Sequence, residues 1–202
     1  RLLLTIIAAA RVRLGASFPI AVKLNSSDFQ KGGFSFEDCL AVVALLETAG
    51  VDLIEISGGN YEQPQMMGLD GLEPVYQDAA MVKESTRQRE AYFLNYAAAI
   101  RRTVSVPLMV TGGFRTRAAM LSALNEDGIS LIGIARPLCV DPDVPKALLA
   151  GEIETLPAPE RTMRLGSGWF GPQSSNPMMR AANGLANMAY FYRNIIRMAA
   201  GK

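Results

Sequence analysis

Short apolar runs rich in β-branched residues alternate along the chain with longer segments of helical periodicity. The apolar runs predict four buried strands, at residues 18–24, 51–57, 106–111 and 129–135. The remaining periodic segments predict helices at residues 2–14, 36–49, 90–104, 115–127 and 143–150, with a last helix from about residue 178 to residue 199. Because strand and helix alternate strictly, the pattern predicts an α/β fold with a parallel sheet.

Two architectures accommodate this pattern. A (β/α)8 TIM barrel needs eight strands and roughly 250 residues, so four strands would form half of one. A doubly wound sheet of four strands is the alternative that periodicity leaves open. The long polar segment at residues 58–89 follows the second strand, and α/β barrels bind substrates with loops at that end of their strands.

The pattern changes after Glu152. Residues 153–202 are loop-rich and then helical, which predicts an extension packed on the barrel rather than a second domain. Because the chain starts at Arg1 without an initiator Met, we expect it to be an excerpt.

Charge and composition argue against several classes of partner. The 20 basic and 19 acidic residues give a net charge of +1, too little to attract nucleic acid or an anionic membrane. The most apolar segment, residues 2–10, is too short to span a bilayer. The sequence has no His, the commonest general base and metal ligand, and no metal site is predicted. Cys39 and Cys139 are predicted to be reduced thiols, which fits a cytoplasmic protein.

Lys23 interrupts an apolar strand one residue before its C-terminal end. An unpaired buried ammonium is costly, so Lys23 needs a partner or a ligand. Strand alternation directs Ala21 and Lys23 inward, and the same alternation in the next strand makes Glu55 an inward neighbour of Lys23. A structural ion pair that binds no ligand is the alternative reading of these two residues.

Two turns of small residues follow the last two predicted strands. Thr111-Gly-Gly-Phe114 opens a helix, and Gly133-Ile-Ala-Arg-Pro137 ends in a cationic side chain. Turns of this kind let backbone N–H groups approach a phosphate, and barrels commonly build phosphate sites after their last two strands. Tight turns with a surface Arg136 are the alternative interpretation.

Five blocks of sequence occur in a specific order. They are AVKLN at 21–25, ISGG at 56–59 with YEQP at 61–64, REAYF at 89–93, PLMVTGGF at 107–114 and IARPLCVDP at 134–142. With this order and spacing, the chain resembles the Old Yellow Enzyme family of NAD(P)H-dependent flavin oxidoreductases. The resemblance extends from Arg1 to about Glu152, and it rests on the set of blocks rather than on one of them.

The resemblance implies an FMN-containing barrel in which the four strands are strands five to eight. Residues 1–152 would then be the C-terminal half of the barrel, and the N-terminal half would be missing from this chain. Lys23 would match the basic residue at the N1/O2 edge of the flavin, where a cation stabilises negative charge on the reduced ring. Gly112, Gly113, Ala135 and Arg136 would match the turns that bind the FMN phosphate, although family members usually have Gly at the position of Ala135. The substrate-binding His/His or His/Asn pair and the Tyr proton donor of the family lie on earlier strands, so no catalytic residue is assigned.

The function expected from this resemblance is hydride transfer from NAD(P)H through FMN to an activated alkene or a related acceptor. The expected partners are a small-molecule substrate and the missing half of the barrel, and a homo-oligomer is left open. Two alternatives remain at this point. One is a half-barrel that binds a phosphate-bearing ligand or a partner subunit without turnover, and the other is a barrel whose phosphate site holds a phosphorylated metabolite instead of FMN.

Overall fold

The computed structural model describes residues 1–28, 32–58 and 93–201, which form a parallel sheet with helices. The strands are β1 (Ala21–Asn25), β2 (Leu53–Ser57), β3 (Leu108–Thr111) and β4 (Leu131–Gly133). The helices are α1 (Leu2–Leu14), α2 (Phe36–Thr48), α3 (Leu94–Arg101), α4 (Arg117–Glu126), α5 (Val144–Leu149) and α6 (Pro177–Ala199). Short 3₁₀ helices cover Arg136–Cys139, Pro159–Arg161 and Gly168–Phe170.

The described strands pair in the sequential order β1-β2-β3-β4, and every pair is parallel. The predicted α/β fold with a parallel sheet is therefore confirmed. A doubly wound sheet reverses its strand order at a switch point, and the described sheet has no such reversal. Sequential order is that of a section of a (β/α)8 barrel. The numbering of these strands as five to eight stays a prediction.

All four strands are shorter than the sequence predicted, and in two of them, β1 and β4, other structure occupies the backbone at one end. β1 begins at Ala21 instead of residue 18, where Arg11 Nη1 donates to the Phe18 carbonyl at 2.5 Å. The Ile20 amide donates to a side chain, Asp52 Oδ2, at 2.7 Å. β4 ends at Gly133, and the chain then enters the 3₁₀ helix that begins at Arg136.

Helix boundaries depend on their caps. The Ser35 hydroxyl accepts from the Asp38 amide at 3.1 Å, and the Asp38 carboxylate accepts from the Ser35 amide, which confirms Ser35 as the predicted cap of α2. The predicted start of α4 at residue 115 was wrong, because Thr116 caps that helix through the Ala119 amide. Residues 90–92 of the third predicted helix, and residues 59–89 of the predicted long loop, lie outside the described residues.

One face of the sheet packs against the helices and forms the core. Ile54, Ile56, Leu108 and Val110 are fully buried on this face, as alternation predicted for β2. Burying one such aliphatic side chain contributes about 1.5–3 kcal/mol, so this face accounts for much of the stability of the sheet. Cys39 is buried among them, and burial raises the pKa of its thiol to about 11.

The opposite face of the sheet carries one row of side chains in register. The row runs from Lys23 to Glu55, then to Met109 and Leu131. We call the side of the sheet defined by these four residues the open face, because 56% of the Lys23 side chain and 46% of Leu131 are exposed. The open face therefore carries a charged pair and a large exposed Leu, whereas the opposite face is buried against the helices.

The segment after α5 returns to the sheet. Thr155 forms an antiparallel bridge with Thr116, and the Leu156 amide donates to the Arg115 carbonyl at 2.7 Å. Leu156 is buried in the core, and the buried Arg115 guanidinium pairs with Glu160. These contacts agree with an extension that packs on the sheet, whereas the predicted position of the domain boundary stays a prediction.

Helix α6 is attached to the preceding loop by one buried amide side chain. Asn183 Nδ2 donates to the carbonyls of Phe170 at 3.0 Å and Met179 at 2.8 Å, and its Oδ1 accepts from the Leu165 amide at 2.9 Å. Because these bonds replace the hydrogen bonds that its amide would make with water, they offset the cost of burying Asn183. Of the helices in the described part of the chain, none is long and apolar enough to cross a membrane.

We predict that Ser35→Ala lowers the free energy of unfolding by about 1 kcal/mol, because it removes the cap of α2. Urea unfolding of the complete polypeptide measures the change. Ser122→Ala is the matched control, since Ser122 lies inside α4 and its hydroxyl binds only Glu126 among the contacts described. That control should leave the free energy unchanged or raise it by a few tenths of a kcal/mol, reflecting the helix propensity of Ala. Equal effects of the two substitutions would contradict the capping role.

Candidate functional site

The carboxyl ends of the four described strands meet at one edge of the sheet. Asn25 pairs in register with Ser57, and Thr111 pairs with Gly133. In parallel sheets of barrels this edge is where ligands bind. The structure therefore brings the ends of the strands that carry the predicted site residues to a single edge.

The predicted contact between Lys23 and Glu55 is confirmed. The two residues are register partners, and Lys23 Nζ lies 2.5 Å from Glu55 Oε1. The Lys23 side chain is 56% exposed and that of Glu55 is 21% exposed, so the carboxylate lies deeper than the ammonium. An ammonium has three donors and the described contacts use one, which leaves two donors at the open face.

Glu55 is ionised at neutral pH. Burial opposes its ionisation, but the hydrogen bond from Lys23, the proximity of the Thr111 hydroxyl and the positive charge of Lys23 together outweigh burial, so the pKa of Glu55 lies below its usual value. Thr111 Oγ1 acts on Glu55 without a well-formed hydrogen bond, and this buried oxygen has no partner at hydrogen-bonding geometry among the described residues. Lys23 and Glu55 therefore form a pair of opposite charges rather than a neutral hydrogen bond.

Polar residues that the sequence reasoning left unassigned continue the site beyond β1. Ser57 Oγ donates to Asn25 Oδ1 at 3.2 Å, and Asn25 Nδ2 donates to Asp28 Oδ1 at 3.1 Å. Together with Lys23, Leu24 and Phe34, Asn25 and Asp28 line an open depression of about 360 Å³. The available signal was the run of polar residues directly after an apolar strand. In the described part of the chain, no group of three or more Asp, Glu or Cys side chains is arranged to hold a metal ion.

The two turns predicted to bind phosphate owe their small residues to different causes. Gly112 and Gly113 have φ angles of 126° and 87°, in the region where residues with a Cβ are strained. Gly133 has an ordinary φ, but a Cβ at this position would lie 1.8 Å from Thr111 Oγ1. The first turn therefore needs glycine for its backbone conformation, and the second needs it for packing between neighbouring strands.

Arg136 begins the 3₁₀ helix that follows β4 and is half-buried, whereas Ala135 is exposed. The guanidinium carbon of Arg136 lies 5.9 Å from the ring centroid of Phe191 on α6. A guanidinium at this distance from an aromatic face is attracted by the ring. The sequence reasoning missed Phe191, whose contact with Arg136 connects positions 55 residues apart.

The structure groups the predicted site residues in two sets. Gly112, Gly113, Ala135 and Arg136 follow the adjacent strands β3 and β4 at the same edge. Lys23 lies on β1, two strand spacings from β3 and three from β4, or about 10 Å and about 14 Å. The binding roles of all five residues stay predictions.

Known proteins similar to this chain are oxidoreductases. An NADH-dependent flavin oxidoreductase of a Neonectria species is 35% identical over 161 residues, which are 79% of this chain and 20% of the relative. An NADH-dependent flavin oxidoreductase of Talaromyces variabilis is 36% identical over 150 residues, which are 74% of this chain and 34% of the relative. No family model matches the chain.

The chain is homologous to NADH-dependent flavin oxidoreductases, and it spans 20% and 34% of the lengths of these two curated relatives. The resemblance to NAD(P)H-dependent flavin oxidoreductases, inferred from the five sequence blocks, is thereby confirmed. A solved 2-naphthoyl-CoA reductase, in complex with 2-naphthoyl-CoA, has a similar fold. Its TM-score is 0.59 at 21% identity, over 76% of this chain and 22% of that chain.

We predict that Gly113→Ala lowers the free energy of unfolding by about 1–2 kcal/mol, because it places a Cβ at positive φ. Ala135→Gly is the control at the same edge of the sheet, where φ is −130° and no positive φ calls for glycine. It should cost no more than about 1 kcal/mol, from backbone entropy alone. Denaturant unfolding compares the two variants, and a Gly113→Ala protein as stable as the wild type would show that the turn adopts another conformation.

Proposed function

We propose that the complete polypeptide containing this chain is an FMN-dependent oxidoreductase that transfers hydride from NAD(P)H through FMN to an activated alkene or a related acceptor. One observation carries the proposal: Lys23 lies on the open face at the sheet edge from which the turns at Gly112–Gly113 and Ala135–Arg136 emerge. The names of the two fungal relatives support NADH as the hydride donor and a flavin as the cofactor.

The donor set fits FMN. The flavin ring suits a cation at its N1/O2 edge, and Lys23 offers a half-exposed ammonium. The phosphate suits backbone N–H groups in a glycine turn together with a forked cation, which Gly112–Gly113 and Arg136 offer. The separation of about 10–14 Å between these two sets suits a ligand whose ring and phosphate are joined by a ribityl chain.

When bound, FMN would supply the reversible two-electron chemistry of hydride transfer. Lys23 would stabilise negative charge that develops at the pyrimidine edge of the ring, because a preorganised cation favours the charged state. Arg136, held against Phe191, would pair with the phosphate without losing much side-chain freedom. We assign no proton donor in this chain, and we expect the rest of the polypeptide to provide one.

We predict that the complete polypeptide binds FMN far more tightly than riboflavin. A charge-assisted hydrogen bond contributes roughly 1.5–3 kcal/mol, so losing the phosphate should weaken binding by about tenfold to a hundredfold for each such bond. Arg136→Ala should therefore weaken the binding of FMN and leave the binding of riboflavin nearly unchanged. Gly113→Val should block the approach of the backbone to the phosphate.

Fluorescence titration with both flavins measures these affinities. Arg13→Ala is the matched control, because Arg13 is an exposed arginine in the last turn of α1. Equal affinity for FMN and riboflavin would show that the phosphate is bound elsewhere. A polypeptide that binds a phosphorylated metabolite but no flavin would support the alternative barrel function instead.

We predict that Lys23→Met slows flavin reduction by NAD(P)H more than it weakens FMN binding, because the cation acts mainly on the negatively charged reduced ring. Stopped-flow measurement of the reductive half-reaction and titration of FMN give the two quantities. Lys146→Met, on the exposed surface of α5, is the control for losing a positive charge. An unchanged reduction rate together with an unchanged flavin potential would exclude this role for Lys23.

A further inference from the structure

The proposed binding of FMN explains the Lys23 cation but not its carboxylate partner, Glu55. Glu55 lies between the buried residues Ile54 and Ile56 of β2, and its own side chain is 21% exposed. A partly exposed ion pair contributes little to stability, so stability is a weak reason to place a carboxylate there. A row that otherwise continues through Met109 and Leu131 would accept an apolar residue at this position.

We propose that Glu55 is a positioning residue that offsets the charge of Lys23 and thereby keeps the reduction potential of the bound flavin low. This inference rests on the proposed function, in which Lys23 lies at the pyrimidine edge of FMN. The geometry gives Glu55 two effects on its partner. It holds the ammonium at 2.5 Å, and it places a negative charge behind the positive one as seen from the open face.

These two effects act on the flavin in opposite directions. Holding the ammonium in place favours negative charge on the reduced ring, whereas the carboxylate disfavours it. Charge interactions extend over several ångströms at a protein surface, while a hydrogen bond to a flexible Lys is easily replaced by water. The charge of Glu55 therefore dominates, and a flavin at low potential is a stronger hydride donor toward acceptors that are difficult to reduce.

Glu55→Gln separates the charge from the shape of the side chain, because the amide keeps an acceptor oxygen near Lys23. We expect the ratio of affinities for reduced over oxidised FMN to rise about tenfold, which corresponds to about 30 mV for a two-electron couple. The potential is measured on the complete polypeptide with bound FMN, by spectroscopic titration against a reference dye. Flavin reduction by NAD(P)H should become faster and reoxidation by the acceptor slower.

Three further variants keep the test decisive. Glu55→Asp retains the charge and should keep a potential close to that of the wild type. Glu55→Leu introduces an apolar side chain like those of its row neighbours Met109 and Leu131, and it should raise the potential as Glu55→Gln does. It replaces Glu55→Gln in the test if that variant does not fold. Glu47→Gln removes a carboxylate that binds Ser105 and Val106 away from the open face, and it should leave the potential unchanged.

A potential that is unchanged or lower in Glu55→Gln or Glu55→Leu would overturn the inference while leaving the proposed function intact. A rise of the same size in Glu47→Gln would overturn it as well, because the effect would then follow net charge alone. Failure of the wild-type polypeptide to bind any flavin would instead remove the proposed function and the inference with it. The potential distinguishes these cases because a merely structural loss of the pair would not raise it.

Discussion

Hydrogen bonding between neighbouring parallel strands determines which side chains share a row across the sheet. The described register places Lys23 beside Glu55 and Thr111 beside Gly133. A shift of one residue in β1 or β2 would turn the aliphatic core side chains of that strand to the open face and its charged residue into the core. The cost of burying one charge without its partner makes the register strongly specified, and the site inherits this precision from the backbone.

The same constraint explains which features were predictable. Apolar runs predicted the strands, and their strict alternation with helices predicted the parallel sheet. Alternation with a period of two inside the strands predicted the facing of Lys23 and Glu55. Gly112 and Gly113 were also readable, since a Gly pair after a strand indicates a tight turn. Homology then extended the argument to a class of oxidoreductase, which periodicity alone does not specify.

Other contacts had no periodic signal. Arg136 with Phe191 and Arg115 with Glu160 join residues 55 and 45 positions apart, and their partners, Phe191 on α6 and Glu160, come from the C-terminal extension. The packing of Gly133 on Thr111 depends on how two strands align, which a single strand does not reveal. Arg115 was assigned to a helix because its neighbours are helix formers, but the cap at Thr116 leaves it in the preceding loop.

The bridge between Thr116 and Thr155 has a consequence for autonomous folding. A polypeptide cut after residue 152 would lack Leu156, whose side chain is buried in the core, and a cavity would remain in its place. It would also leave the buried Arg115 guanidinium without Glu160. An uncompensated buried cation one residue beyond the Phe114 end of the glycine turn would loosen that turn first. The place where composition changes along this chain is therefore a poor place to divide it by proteolysis or by gene truncation.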